Sequence, residues 1–323
     1  MIRPFFDGRT RTPRRQLPRI ELLEGRRLMA ARAAASAIRV GEIEYNGAVQ
    51  LQIIGTARAD SVQIQDNGTD SAGNIALKFA DGATYTSKKA IASILVMGGA
   101  GRDRVSYELT GDLVTSRSIN VNLGQGDDVF EGAITGAIVA TNATLDLQVF
   151  GNQGNDRLSV TQTGENRAGV FFPFLSGDQG DDTLTFGGTG DVKLGATLGP
   201  ALVGGAGNDT LNARYEGVIT GTYLYNLTLI GGAGNDSISN LVFAKAGSFG
   251  KLGASSTAPA AVIGGLGDDR ITVGVYVDTS TSSLVMNAFA SGGAGTDQIQ
   301  RTANVVVDKT NETDIILADQ GTT

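Results

Sequence analysis

The sequence predicts an all-β chain: a right-handed parallel β-helix or β-roll-like solenoid with about 27 residues per coil. Three observations carry this. A turn of the form Gly-Gly-x-Gly-x-Asp recurs, with its last Asp at 103, 128, 156, 182, 209, 236, 269 and 297, so that successive gaps are 25, 28, 26, 27, 27, 33 and 28. The positions around the turn keep the same spacing. No 3.6-residue periodicity of useful length runs through the body of the chain.

Two residues after each Asp stands an apolar residue: Val105, Phe130, Leu158, Leu184, Leu211, Ile238, Ile271 and Ile299. The second residue before each turn is apolar too: Val96, Val121, Val149, Leu175, Leu202, Leu229, Val262 and Ala290. A degenerate ninth copy ends at Asp60, with Val62 after it. Gly111, Gly136, Gly164, Gly190 and Gly217 follow five successive Asp residues at eight positions' distance. One glycine loop is easily a coincidence; nine in register describe stacked coils whose inward side chains form continuous apolar columns.

Composition narrows the function. Of 323 residues, 46 are Gly, about double the usual ~7%. Only 6 are Pro, against collagen, and 41% are hydrophobic, against disorder. There is no Cys and no His, which removes disulfides, thiolate and most zinc sites, and the Ser-His-Asp triad. The first 40 residues hold ten Arg and three acids, net +7, leaving −14 for the remainder. An acidic body repels phosphate backbones, so nucleic acid is not an expected partner. No stretch reads as a transmembrane span.

Residues 1–37 read as a basic export segment without fixed structure. Its core, Ile20-Glu21-Leu22-Leu23-Glu24-Gly25-Arg26-Arg27-Leu28-Met29-Ala30-Ala31, is similar to an LExRxLxAA tag found near the N-terminus of many large exported proteins of one bacterial group. The solenoid is expected over 38–318. An N-terminal cap spans 38–60, with a tight hairpin at Asn46-Gly47. A C-terminal cap spans 300–318. The irregular spacing predicts loops on one side, chiefly around Ala246–Ala258.

The turn has its own chemistry. Glycine at its first, second and fourth positions permits positive φ and lets carbonyls converge, and Asp adds a hard anionic oxygen. An all-oxygen set suits Ca²⁺, which takes six to eight oxygens at about 2.3–2.6 Å. The alternative is a metal-free turn in which Asp caps backbone N–H groups. Stacked carboxylates argue against it, since each neighbouring pair repels by on the order of 1 kcal/mol even in water. The metal candidates are Asp103, Asp128, Asp156, Asp182, Asp209, Asp236, Asp269 and Asp297. Asp127, Asp181 and Asp268 stand beside them, and Gly204, Gly231 and Gly264 open the three best turns. Arg102 is expected to offset the charge of Asp103 and weaken that site.

The turns resemble the GGxGxDxUx nonapeptide of hemolysin-type (RTX) calcium-binding proteins, most closely at Gly204–Leu211, Gly231–Ile238 and Gly264–Ile271. In that family the Asp carboxylate and turn carbonyls bind Ca²⁺. Two departures stand out. RTX nonapeptides usually follow one another directly, giving an 18-residue coil, whereas here one turn occurs per coil. Leu123, Asn152 and Asp178 also replace a Gly.

These features imply an exported, calcium-binding structural or adhesive solenoid at the bacterial cell surface, acting as a monomer or in a surface assembly. Its partners would be surface glycans or other surface proteins. The alternative is a calcium-dependent polysaccharide lyase or epimerase, with Arg214, Tyr215, Tyr223 and Tyr225 as its candidate residues. No HExxH, GxSxG or phosphate-loop motif occurs.

Overall fold

The computed structural model describes residues 37–318 apart from 46, 70–74, 225–226, 253–259, 279–282, 287, 303–305 and 308–314. The export segment at 1–36 therefore lies outside the described residues. Among those described there is no helix, and none long and apolar enough to cross a membrane.

Two parallel sheets run the length of the stack. The first comprises Arg39–Tyr45, Ala48–Ile54, Ser93–Ala100, Arg117–Gln125, Thr144–Gln153, Val170–Gln179, Ala201–Ala206, Thr228–Ala233, Ala260–Leu266, Ala288–Ala294 and Val306–Val307, each paired with the next. The second comprises Ser61–Asp66, Arg104–Leu109, Val129–Ile134, Arg157–Gln162, Thr183–Gly188, Thr210–Gly217, Ser237–Ala244, Arg270–Val277, Gln298–Arg301 and Ile315–Ala318. The chain alternates between them, turning at each Gly-Gly-x-Gly-x-Asp. This is a parallel β-solenoid with a period of about 27 residues, the step from Asp182 to Asp209 and from Asp209 to Asp236.

Antiparallel strands flank its start. Arg39–Tyr45 folds back on Ala48–Ile54 with Tyr45 opposite Ala48, while Ile75–Phe79 and Thr84–Thr86 extend the edge of the second sheet. Asn46 itself lies outside the described residues. At the other end Val306–Val307 and Ile315–Ala318 continue the two sheets in parallel.

The sequence register is the structural register. Leu175 pairs with Leu202, Leu202 with Leu229 and Leu229 with Val262; across the stack Leu184 pairs with Leu211 and Leu211 with Ile238. All these side chains are buried, because alternate strand residues face inward and every coil contributes the same ones. A third side is narrower. Single bridges link Leu113, Ile138, Asn166, Val192 and Ile219, and then three short strands follow: Thr220–Leu224, Phe249–Leu252 and Ser283–Met286. Phe249–Leu252 corrects the loop expected around Ala246–Ala258, since part of that insertion forms a rung of the third side. Residues 253–259 of it lie outside the described residues.

One buried polar cluster interrupts the core. Val62, Ile64 and Asp66 share the inward side of their strand, as do Arg117, Ile119 and Val121 of theirs. Arg117 Nε lies 2.9 Å from Asp66 Oδ2, Tyr107 donates to the same oxygen at 2.9 Å, and Arg117 also donates to the Gly68 carbonyl at 3.3 Å. Both charged side chains are fully buried. Breaking such a pair leaves an uncompensated interior charge, at about 3–5 kcal/mol. Asp66→Ala is expected to lower the unfolding free energy from urea titration by that amount, and Asp66→Ala with Arg117→Met to recover much of it. Equal stability of the single and double variants would show that the charge left on Arg117 is not the source of the loss, and an Asp66→Ala chain as stable as wild type would show that the pair contributes nothing.

Candidate metal centre

The turn divides its residues between two columns. The last Asp of each turn points inward and is buried; the residue before it is exposed, because consecutive residues of an extended chain face opposite ways. Asp127, Asp181 and Asp268 therefore do not join the buried carboxylates. They form a second, outer column with Asn155, Asn208 and Asn235. Each side-chain oxygen of that column accepts the backbone N–H of its counterpart one coil later, as from Asn155 to Asp127, Asn208 to Asp181 and Thr296 to Asp268.

The inner column runs the other way. The Oδ1 of each Asp accepts the backbone N–H of the Asp one coil earlier. Asp182 donates to Asp209, Asp209 to Asp236 and Asp236 to Asp269, each at 2.8 Å, and the series extends from Asp60 to Asp297. This is the backbone cap that a metal-free turn requires, yet it uses only one carboxylate oxygen. The Oδ2 atoms of Asp103, Asp128, Asp156, Asp182, Asp209, Asp236, Asp269 and Asp297 are all buried without a hydrogen-bond partner. A native fold tolerates few such orphans. Eight in one column make a line of anionic oxygens that backbone capping leaves unused.

The glycines shape that place in two ways. The second and fourth turn positions have positive φ, for example 119° at Gly205 and 139° at Gly207, and Asn152 and Asp178 adopt the same conformation at 79° and 75°. Asn and Asp tolerate it better than other residues, which explains those two replacements. The first position does not have positive φ, contrary to expectation. It is glycine for space. A Cβ on Gly204, Gly231 or Gly264 would overlap the Oδ2 of its own turn's Asp and the carbonyl oxygen of the next coil's first glycine. Carboxylate and carbonyl oxygens thus converge on each cradle. The Asp128 turn has Leu123 at that position, so its cradle holds a side chain.

Burial pushes the Asp209 carboxyl up to about 7, aided by the charges of Asp182 and Asp236 and opposed by the Asp182 N–H. Burial does the same at Asp103, Asp156 and Asp269, to about 7, and at Asp182, to about 6; Asp128 and Asp236 are also raised. Without a cation, the folded chain therefore holds protons between pH about 4 and about 7 that the unfolded chain releases. The stability linked to those protons is complete below about pH 4 and is lost as pH rises towards 7. In calcium-free buffer the melting temperature is expected to fall from pH 5 to pH 8, and the gain on adding calcium to grow over the same interval. A calcium-free melt independent of pH would contradict this.

Arg102 corrects a second expectation. It faces outward and pairs with Asp127 at 2.6 Å, so it does not neutralise the inward Asp103. Asp60 differs from the other eight, because its Oδ2 accepts the Thr56 N–H of its own turn at 2.6 Å. Its turn lacks the second and fourth glycines, which is legible in the sequence.

A family model for the RTX calcium-binding nonapeptide repeat (4 copies) matches residues 201–214 and 228–239. These turns match RTX calcium-binding repeats. The matched stretches contain the Asp209 and Asp236 turns, the pair whose cradles are described above. RTX repeats bind calcium, and proteins that carry them are typically secreted. Comparison with curated proteins and with solved structures finds no match. The donor chemistry of the RTX-type column fits the ion: oxygen only, one carboxylate per coil, carbonyls beside it. Among the described residues no three acids converge, so backbone oxygens must complete any coordination sphere.

Of the residues suggested for an enzyme, Tyr215 and Arg214 have their side chains described, and both are engaged within the solenoid. Tyr215 is buried and donates to the Gly190 carbonyl at 3.1 Å. Arg214 pairs with Glu216 at 3.0 Å and lies over the Phe243 ring. Tyr223 belongs to the strand Thr220–Leu224, and Tyr225 lies outside the described residues.

Proposed function

We propose that the chain is an exported structural or adhesive solenoid at the cell surface whose folding is completed by calcium. The observation that carries this is the column of buried, unpartnered Oδ2 atoms opposite the glycine cradles. Asp103, Asp156, Asp182, Asp209, Asp236, Asp269 and Asp297 each supply one carboxylate oxygen, and the turn carbonyls, including those of Gly204, Gly231 and Gly264, supply the rest. Asp128 does so with a filled cradle. Asp127, Asp181 and Asp268 hold the outer edge of the turns in register. A low ligand charge suits the roughly 10⁻⁴–10⁻³ M range of extracellular calcium modules. In the cytosol, where calcium is scarce, the column stays incomplete; after export the ion binds the folded form and stabilises it.

Isothermal titration of the full chain tests this. Asp209→Ala is expected to lower the calcium stoichiometry by at least one and to leave the Asp182 N–H without its acceptor. Asp103→Ala should behave alike, since Arg102 does not offset Asp103. Unchanged stoichiometry in both variants would show that the column caps backbone and holds no ion.

A further inference from the structure

Exposed rings on the two sheets differ in what covers their faces. On the second sheet Arg214 lies 4.1 Å over the Phe243 ring and Tyr276 stacks on that ring at 4.9 Å, so the cluster satisfies itself. On the first sheet Phe150 and Phe174 lean together at 5.6 Å. Phe172 beside them is 42% exposed and makes no ring contact among the described residues.

The register of the sheet keeps that ring open. Asp146 stands between Ser118 and Phe172 in one outward row, and Gln148 between Asn120 and Phe174 in the next. On the far side of the rings come only Gly199, opposite Phe172, and Ala201, opposite Phe174. Each phenyl ring thus has a polar neighbour on one side and almost no side chain on the other. The result is a depression of about 430 Å³, floored by small residues and walled by rings, within the ~300–1,000 Å³ of ligand sites. Its polar edge is held in place. Gln148 Nε2 donates to both oxygens of Asp146, at 3.1 and 3.2 Å, and the Gln148 carbonyl and the remaining carboxylate lone pairs stay available.

We propose that this junction of open rings with an amide–carboxylate pair is a binding site for a neutral glycan. It gives the adhesive role proposed for the chain a ligand, and rests on that role. A sugar ring has C–H faces and a hydroxyl rim. The C–H groups suit the negative face of Phe172, and the hydroxyls can donate to Asp146 and to the Gln148 carbonyl. Charge selects against acidic ligands. No Lys or Arg stands outward on this sheet from Ala48–Ile54 to Ala288–Ala294, so a carboxylated or sulfated glycan, or a lipid phosphate, would meet only the repelling Asp146. A wholly apolar partner would bury Asp146 and Gln148 with nothing to bond.

A printed array of neutral and acidic glycans, probed with the full chain in calcium, is expected to retain the protein on neutral members only. For the strongest of these, Phe172→Ala and Asp146→Ala should each weaken binding roughly 10-fold or more in isothermal titration. Raising sodium chloride from about 50 to about 500 mM should change it less than about twofold, because no ion pair forms. Leu266→Ala removes another exposed apolar side chain of the same sheet and should bind as wild type does. Both ring-site variants alter the surface, so their calcium-dependent melts should match wild type; a failure of the calcium reading would show in that melt and not in glycan binding. No neutral glycan retained, acidic glycans retained alone, or equal binding by wild type and both variants would overturn the proposal. So would self-association in sedimentation velocity that Phe172→Ala abolishes, found in place of glycan binding, which would make this a protein interface.

Discussion

Chelating calcium is expected to lower the melting temperature of the full chain by roughly 20 °C or more and to abolish most of its β-sheet circular dichroism at 37 °C. An ion that binds only the folded form adds about 2.7 kcal/mol per site at a hundred times its dissociation constant. Three occupied cradles then contribute about 8 kcal/mol, comparable to the whole stability of an ordinary domain, about 5–15 kcal/mol. At about 2–4 °C per kcal/mol for a chain approaching this size, the shift is large. Magnesium should restore little, because it demands a tighter octahedral shell than stacked carbonyls offer. If a chelator leaves both the melt and the sheet signal in place, the eight orphan oxygens are tolerated without a cation and the calcium reading fails.

Gly231→Ala is expected to be among the most damaging single methyl additions to the chain, and Gly187→Ala among the most benign. At Gly231 the new Cβ overlaps Asp236 Oδ2 and the Gly264 carbonyl, the first on a carboxylate fixed by the Asp209 N–H and the second on a strand paired with this one. Neither oxygen can retreat without breaking the register of the turns, so overpacking costs about 1–3 kcal/mol or more, and the cradle is lost with it. At Gly187, on the outward side of Thr183–Gly188, a Cβ meets nothing within 4 Å. Removing glycine's backbone freedom there is worth about 0.5–1 kcal/mol in favour of the fold. Thermal melts with and without calcium separate the two effects: Gly231→Ala should lose much of the calcium-dependent gain, whereas Gly187→Ala should keep all of it. Similar losses at both positions would mean that the cradle has no special role.

The spacing of the Asp residues determined the architecture without help from coordinates. A parallel stack has one register, so residues a coil apart must become neighbours, and Leu202, Leu229 and Val262 could be placed in one column from arithmetic alone. The oxygen-only chemistry of the turns was equally legible, because composition had already removed the imidazole and thiolate ligands. Alternation along each strand also held the signal for the buried Asp66–Arg117 pair, though not its closeness, since the partners are 51 residues apart in different sheets. Tertiary structure alone decided what each turn atom does. Asp127 and Asp128 are adjacent in sequence but belong to opposite columns, Arg102 serves the outer one, and the first glycine is there for space and not for φ. Those assignments depend on where the next coil's carbonyl and N–H lie, and stacking sets that position, not local propensity.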